Sequence, residues 1–188
     1  MKLTCLDLEM NQPSGKIIQI GAVIGDTMTG TITQRLRIYI NPGEPIDPYI
    51  TELCGISQDQ INQEGIPLAD GYRILKDFHQ KHSSFINPVT WGGGDSQEIY
   101  DQLDEDSRKD WCFGRRWIDV KTWYTYLMLT RGKAPSGGLA SAMGYFKLHF
   151  KGKAHRADVD AANTLALFFK LLERQAKLES ILDSAKNV

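Results

Sequence analysis

The stretch Leu6-Asp7-Leu8-Glu9-Met10, followed by Ile17-Ile18-Gln19-Ile20-Gly21-Ala22-Val23, decides the fold of this chain. Apolar and acidic residues alternate in the first stretch, which predicts a β-strand, and the apolar second stretch predicts another. Side chains two residues apart in a strand project from the same face, so Asp7 and Glu9 are neighbours. Two acids on a buried face need a partner or a cation, whereas on an exposed edge strand they need neither.

The segments that follow alternate strands with helices. Three strands come first and strands separated by helices come later, an order that predicts an α/β domain with a mixed sheet flanked by helices. The predicted strands are Leu3–Met10, Ile17–Ile24, Thr31–Ile40 and Phe85–Trp91. The predicted helices are short segments within Pro48–Ile61, then Leu68–His82, Asp95–Leu103, Ile118–Leu129, Gly138–Phe146 and Ala157–Leu172.

Length, charge and composition limit the class of protein. The 188 residues predict one domain, spanning 1–188. The formal net charge of −1 argues against a protein that coats nucleic acid and is compatible with a local basic rim. Cys5, Cys54 and Cys112 are odd in number and widely spaced, which argues against a disulfide framework or a structural zinc site. No segment resembles a signal peptide or a membrane span, so we expect a cytoplasmic protein without membrane contact.

Further acids stand at the ends of later elements. Asp95 follows a glycine triplet at the end of a predicted strand, where open α/β sheets bind their ligands, although Asp95 and Glu98 also have the spacing of a helix N-cap box. Asp158 and Asp160 lie about 200° apart around the last helix, so only one of them can face a given site. We predict Asp158 as the N-cap of that helix and Asp160 as a residue bordering the core.

These acids point to a metal site if they converge. Carboxylates brought close together raise one another's pKa, and divalent cations relieve that repulsion. Oxygen ligands without a thiolate favour Mg²⁺ or Mn²⁺ over zinc. His155, near the start of the last helix, would ordinarily be a surface residue in a basic loop.

Three motifs resemble those of the DEDD exonuclease superfamily. The opening pair of stretches resembles its first motif, and Trp91-Gly92-Gly93-Gly94-Asp95 resembles the second. The segment His155-Arg156-Ala157-Asp158-Val159-Asp160-Ala161 resembles the third, of the form His-x-Ala-x-x-Asp-Ala, which selects Asp160 over Asp158 and the histidine subgroup over the tyrosine subgroup. The resemblance spans nearly the whole chain. It implies a ribonuclease H-like fold with a five-stranded mixed sheet, in which Arg116–Val120 is the fifth strand.

The resemblance also implies an activity. It is that of a 3′–5′ exonuclease acting on the 3′ end of single-stranded DNA or RNA with two divalent ions, Mg²⁺ or Mn²⁺. His155 is then the general base, because an imidazole titrates near working pH. Some relatives are homodimers, so a homodimer is a further expectation. The implied metal ligands are Asp7, Glu9, Asp95 and Asp160.

Other residues are expected to contact the substrate. The segment Glu52-Leu53-Cys54-Gly55-Ile56 resembles a family segment near the terminal base, in which His or Thr often stands at the position of Cys54. The basic side chains of Lys147–Arg156 are interpreted as phosphate contacts, with solvated surface charge as the alternative. The expected substrate-binding residues are Leu8, Met10, Asn11, Leu53, Cys54, Trp91 and Arg156.

Two other functions are compatible with parts of this pattern. A non-catalytic nucleic-acid-binding module could have kept the fold, but the presence of all four acids together with His155 argues against it. A ribonuclease H-type endonuclease uses the same fold and two metals, but the third motif favours the exonuclease. DNA and RNA are both candidate substrates, since their discrimination depends on contacts to the 2′-hydroxyl.

Overall fold

The computed structural model describes residues 1–186 and contains one five-stranded sheet. Its strands, β1 to β5 in chain order, lie in the sheet in the order β3-β2-β1-β4-β5. β2 pairs antiparallel with β1 and β3, whereas β4 pairs parallel with β1 and β5, so the sheet is mixed as predicted. The strands are Lys2–Met10, Ile17–Asp26, Thr31–Tyr39, Val89–Thr90 and Ile118–Asp119.

Eight helices lie in the described part of the chain, five of them between β3 and β5 and three after β5. One predicted helix begins later than expected, because Ile118 belongs to β5. The short helix α5 was not predicted, and α8 continues from Leu172, where the prediction ended, to Lys186. The helices α1 to α8 are Pro48–Cys54, Gln58–Glu64, Leu68–Lys81, Asp95–Gln102, Glu105–Lys109, Val120–Leu129, Leu139–Tyr145 and Ala157–Lys186.

The two faces of the sheet pack against different helices. Leu3 and Cys5 of β1 belong to the core cluster that contains residues of α6, α7 and α8. Leu6 projects from the opposite face and packs in the cluster that contains Tyr72 and Leu75 of α3. Strand alternation therefore places the side chains of Asp7 and Glu9 on the face covered by α8. Since β1 is the central strand, the exposed-edge interpretation of this acidic pair is wrong.

Membrane-spanning helices and disulfide bonds are both absent from the described residues. No helix within residues 1–186 is both long and apolar enough to cross a membrane. Cys5, Cys54 and Cys112 all carry free thiols, and the first two are buried.

Candidate active site

Strand β2, the neighbour of the central strand β1, and the start of α8 meet at one close approach. Gly21 of β2 is the neighbour of Asp7 in the sheet register. A Cβ atom on Gly21 would lie 2.0 Å from the backbone carbon of Ala157, the first residue of α8. The backbone N–H of Ala157 donates a hydrogen bond of 2.8 Å to the Oε1 atom of buried Gln19. A glycine at position 21 thus lets α8 begin directly beside the acids of β1.

His155 and Asp160 complete a cluster with Glu9. The backbone of His155 is left-handed, with φ of 59°, and its N–H donates a 2.8 Å hydrogen bond to the Oδ2 atom of Asp160. One side-chain ligand atom from each of these three residues lies within 4.8 Å of the others. The structure therefore brings together residues that are about 150 positions apart in the sequence, as the motifs predicted.

Asp95 reaches the same region from α4. Gly94, with φ of 123°, precedes the helix and offers no side-chain cap, so the N-cap box interpretation of Asp95 is wrong: Asp95 lies inside the first turn. The glycine triplet is held by Asp119, whose Oδ1 atom accepts a 3.0 Å hydrogen bond from the N–H of Gly92. The same carboxylate caps α6. Asp119 thereby ties the loop before Asp95 to the sheet.

The four acids have raised pKa values. Burial, followed by the charge of Asp95, raises the pKa of Asp7 well above its usual range. Burial, followed by the charge of Asp160, raises the pKa of Glu9 to about 7. Burial raises the pKa of Asp95 to about 6 and also raises the pKa of Asp160. Acids that resist ionisation in this way form a site whose charge is best balanced by cations.

The donor set fits hard divalent cations. Carboxylate oxygens with one imidazole and no thiolate suit Mg²⁺ or Mn²⁺. Asp7, Glu9, His155 and Asp160 all line one cavity of about 350 Å³. The remaining lining residues are Leu8, Trp91, Gly138, Leu139, Ala140, Phe150 and Ala154.

Two of the seven expected substrate contacts, Leu8 and Trp91, line this cavity. The other five residues lie outside its described lining. Buried Asn11 holds the segment before α1, since its Nδ2 donates to Glu44 and its Oδ1 accepts from the N–H of Asp47. Met10 and Leu53 pack against core clusters.

Cys54 and Arg156 make contacts inside the protein. The thiol of Cys54 is fully buried and donates to the carbonyl of Ile50. The Nη2 atom of Arg156 donates a 2.8 Å hydrogen bond to the hydroxyl of Tyr39. The positive charge of Arg156 also lowers the pKa of Glu9, against the larger effect of burial.

The prediction of Asp158 as a helix N-cap is wrong. Asp158 is fully buried and accepts hydrogen bonds from two arginines of β3. Arg35 and Arg37 were not predicted as part of the site. Arg35 and Arg37 are two residues apart, so their side chains lie on the same face of the strand. This spacing by itself does not predict an ion pair, because the acid that they bind is distant in the sequence.

Known proteins resemble this chain in sequence. The family model described as Exonuclease matches residues 4–87. ERI1 exoribonuclease 2 is 30% identical in Homo sapiens and 28% in Mus musculus, each over 193 residues covering 90% of this chain and 27% of the relative. The 3'-5' exonuclease Snipper of Drosophila melanogaster is 27% identical over 190 residues, covering 88% of this chain and 64% of that protein. The chain thus spans about a quarter of the length of the ERI1 exoribonuclease 2 proteins.

Solved structures share the fold. The nuclease domain of 3'hExo, described as a DEDDh family member bound to rAMP, has a TM-score of 0.76 at 17% identity, with 92% of both chains covered. Exonuclease X in complex with 5' overhanging duplex DNA has a TM-score of 0.64 at 18% identity, with 93% of both chains covered. The Mg2+ and Mn2+ bound form of S. pombe Pop2p has a TM-score of 0.65 at 18% identity, with 92% of this chain and 83% of that one covered. These similarities confirm the predicted ribonuclease H-like fold.

Proposed function

We propose that this chain, whose motifs resemble those of the histidine subgroup of the DEDD exonucleases and whose sequence is similar to known exonucleases, hydrolyses phosphodiester bonds from the 3′ end of single-stranded DNA or RNA. The observation that carries this proposal is the cluster of Glu9, His155 and Asp160, whose ligand atoms lie within 4.8 Å of one another. Asp7 lines the same cavity. The names of the curated relatives, exoribonuclease and exonuclease, support a nuclease and make RNA the first substrate to test.

We infer that two divalent ions, Mg²⁺ or Mn²⁺, are the cofactors. Asp7, Glu9, Asp95 and Asp160 would hold them, and their raised pKa values are the observation that supports a need for positive charge. When bound, such ions lower the pKa of water and balance the charge that develops on the phosphate. The structure of S. pombe Pop2p in its Mg2+ and Mn2+ bound form shares the fold of this chain and supports the inference of these two metals by analogy.

His155 is the proposed general base. A neutral imidazole nitrogen accepts a proton from the attacking water as the new bond from water oxygen to phosphorus forms and the bond to the leaving 3′ oxygen breaks. The left-handed backbone and the hydrogen bond to Asp160 hold the residue beside the acids. Its side chain is exposed, which leaves it accessible to a substrate.

Leu8 and Trp91 are the proposed contacts of the terminal nucleotide. Both line the catalytic cavity, and Trp91 offers an aromatic face on which a base can stack. Met10, Asn11, Leu53, Cys54 and Arg156 stay predictions.

The decisive experiment follows the length of labelled strands. Single-stranded DNA and RNA carrying a 5′ label are incubated with the protein and Mg²⁺ or Mn²⁺, with a chelator, or with an Asp7→Ala variant. Asp106→Ala is the matched control, because this carboxylate on α5 is 94% exposed. We expect a ladder that shortens from the 3′ end and that disappears with chelator or Asp7→Ala only. Absence of cleavage with either metal would favour a non-catalytic binding module, and cleavage of a circular strand would favour an endonuclease.

The domain extent, the oligomeric state and the cellular location remain predictions. We infer that residues 1–188 act as a single exonuclease domain, since helices cover both faces of one sheet. A homodimer can be tested by light scattering of the purified protein. A cytoplasmic location can be tested by fractionating the cells that produce it.

A further inference from the structure

The segment before His155 separates two cavities. Phe150 lines the catalytic cavity. Its chain neighbours His149 and Lys151 are exposed and line a second cavity of about 560 Å³, together with Arg35 and Lys147. We call this second cavity the basic groove, defined by Arg35, Lys147, His149 and Lys151. Because adjacent side chains of one segment face the two cavities, the basic groove and the catalytic cavity share a wall.

Acidic side chains within residues 1–186 neutralise only part of the positive charge of the basic groove. Among residues 1–186, neither Lys147 nor Lys151 has a carboxylate within salt-bridge distance, whereas lysines elsewhere, such as Lys170 and Lys177, do. Arg35 shares the single carboxylate of Asp158 with Arg37, which leaves one positive charge uncompensated. In a chain of net charge −1, this is a local concentration of positive charge suited to phosphates.

Lys147 occupies a backbone position that favours glycine. Its φ is 59°, it follows Phe146, the C-cap of α7, and the N–H of Leu148 donates a 3.0 Å hydrogen bond to the carbonyl of Met143. Helices commonly end at a residue with left-handed backbone angles, and glycine adopts these angles with the least strain. The backbone conformation therefore does not account for a lysine at position 147, whereas the place of that residue in the lining of the basic groove does.

The wall of the basic groove is held on the helix that carries Asp160. The N–H of Lys151 donates a 2.9 Å hydrogen bond to the Oδ1 atom of Asn163, and the Nδ2 atom of Asn163 donates to the carbonyls of Lys151 and Val159. Asn163 is buried in α8. The ammonium groups thus extend from a wall that is already ordered, which lowers the entropy cost of binding a strand.

We propose that the basic groove binds the phosphates of the substrate strand on the 5′ side of the nucleotides that occupy the catalytic cavity. The inference rests on the proposed function, because a strand whose 3′ end lies beside His155 must leave the cavity. The route that we assign to it passes Phe150, whose chain neighbours His149 and Lys151 line the basic groove. Lysine contacts to phosphates carry no sequence information, so the groove strengthens binding of long strands whatever their bases.

The test measures binding without hydrolysis. A labelled single strand of twelve nucleotides is titrated with wild type, Lys147→Gly and Lys151→Gln in chelator, and the salt concentration is varied. Removing one lysine that binds a phosphate lowers the slope of log K against log salt by about 0.7, which corresponds to about fivefold weaker binding at 0.1 M salt relative to 1 M. The matched control is Lys81→Gln, an exposed lysine of α3 on the opposite side of the sheet.

The variants separate charge from folding. Glycine suits the left-handed backbone at position 147, so Lys147→Gly should keep or raise the melting temperature while it weakens binding. An unchanged affinity and salt slope in both groove variants would overturn the proposal. So would an equal loss in Lys81→Gln, or a loss seen with duplexes but not with single strands. Binding in chelator does not depend on catalysis, so an inactive protein with a functional groove would count against the proposed exonuclease alone.

Discussion

Both carboxylate oxygens of Asp158 accept hydrogen bonds from the guanidinium of Arg37, at 2.7 Å from Nε to Oδ1 and 2.9 Å from Nη2 to Oδ2. Asp158 is fully buried in the first turn of α8, and Arg37 extends to it from β3. The pair therefore ties the start of the helix that carries Asp160 to a strand two positions away from β1 in the sheet. Hydrogen bonds from Arg37, together with its charge, lower the pKa of Asp158 although burial opposes this.

Arg37→Gln should destabilise the protein. Removing one partner leaves a buried carboxylate with only the single hydrogen bond from Arg35, and losses of this kind cost about 3 kcal/mol of unfolding free energy. Arg73→Gln is the control, because its bond to Asp70 lies at the surface and is expected to be worth less than about 1 kcal/mol. Urea unfolding measures both variants. Equal midpoints for the two would contradict the structural role of the buried pair.

Gly21→Ala should separate the start of α8 from the sheet. The new Cβ atom would overlap the backbone of Ala157, so His155 and Asp160 must shift away from Glu9. We expect a destabilisation of about 1–3 kcal/mol and a large loss of nuclease rate. Gly144→Ala is the control: nothing lies within 4 Å of its added Cβ atom, and alanine in a helix is favourable. A Gly21→Ala protein with wild-type rate and stability would show that the close approach is not needed.

The stability of the metal-free protein should fall as pH rises through the pKa of Glu9. That pKa is raised from 4.5 to about 7, so the folded state binds more protons than the unfolded state between these values, and the unfolding free energy falls with pH. Glu9→Gln removes this term and should gain about 1–3 kcal/mol relative to wild type at pH 8 in chelator. The comparison uses melting curves at pH 5 and pH 8. Glu105→Gln, at an exposed carboxylate of α5, controls for the loss of charge alone. If the difference between Glu9→Gln and wild type stayed constant with pH, the raised pKa would be wrong.

His155→Gln distinguishes a general base from a metal ligand. A general base contributes about 10²–10⁴-fold in rate, so the variant should lose that much activity while Mn²⁺ binding measured by calorimetry changes little. Because the His155 nitrogen lies within 4.8 Å of the Glu9 and Asp160 oxygens, a ligand role would instead weaken Mn²⁺ binding strongly.

The strands that carry the site were predictable because period-two alternation is a local property. Leu6, Asp7 and Glu9 take their sheet faces from the pleat alone, and the structure places them as the pattern predicted. The C-terminal end of α8 could not be predicted from its pattern of apolar residues. The prediction stopped where the apolar face ended at Leu172, whereas good helix formers and the Lys170–Glu173 and Glu173–Lys177 pairs continue the helix beyond it.

By itself, the sequence determined the order of the strands and longer helices, the sheet face of Asp7 and Glu9, and the residue spacing within each of the three motifs, all of which depend on residues close together in the chain. Only the tertiary structure decided that β1 is central, that Gly21 admits the start of α8, and that Asp158 is a buried ion-pair partner of Arg37 rather than a helix cap. The reason is physical: the best partner of a buried charge is set by which distant strand lies within hydrogen-bond reach, and local periodicity carries no information about that distance.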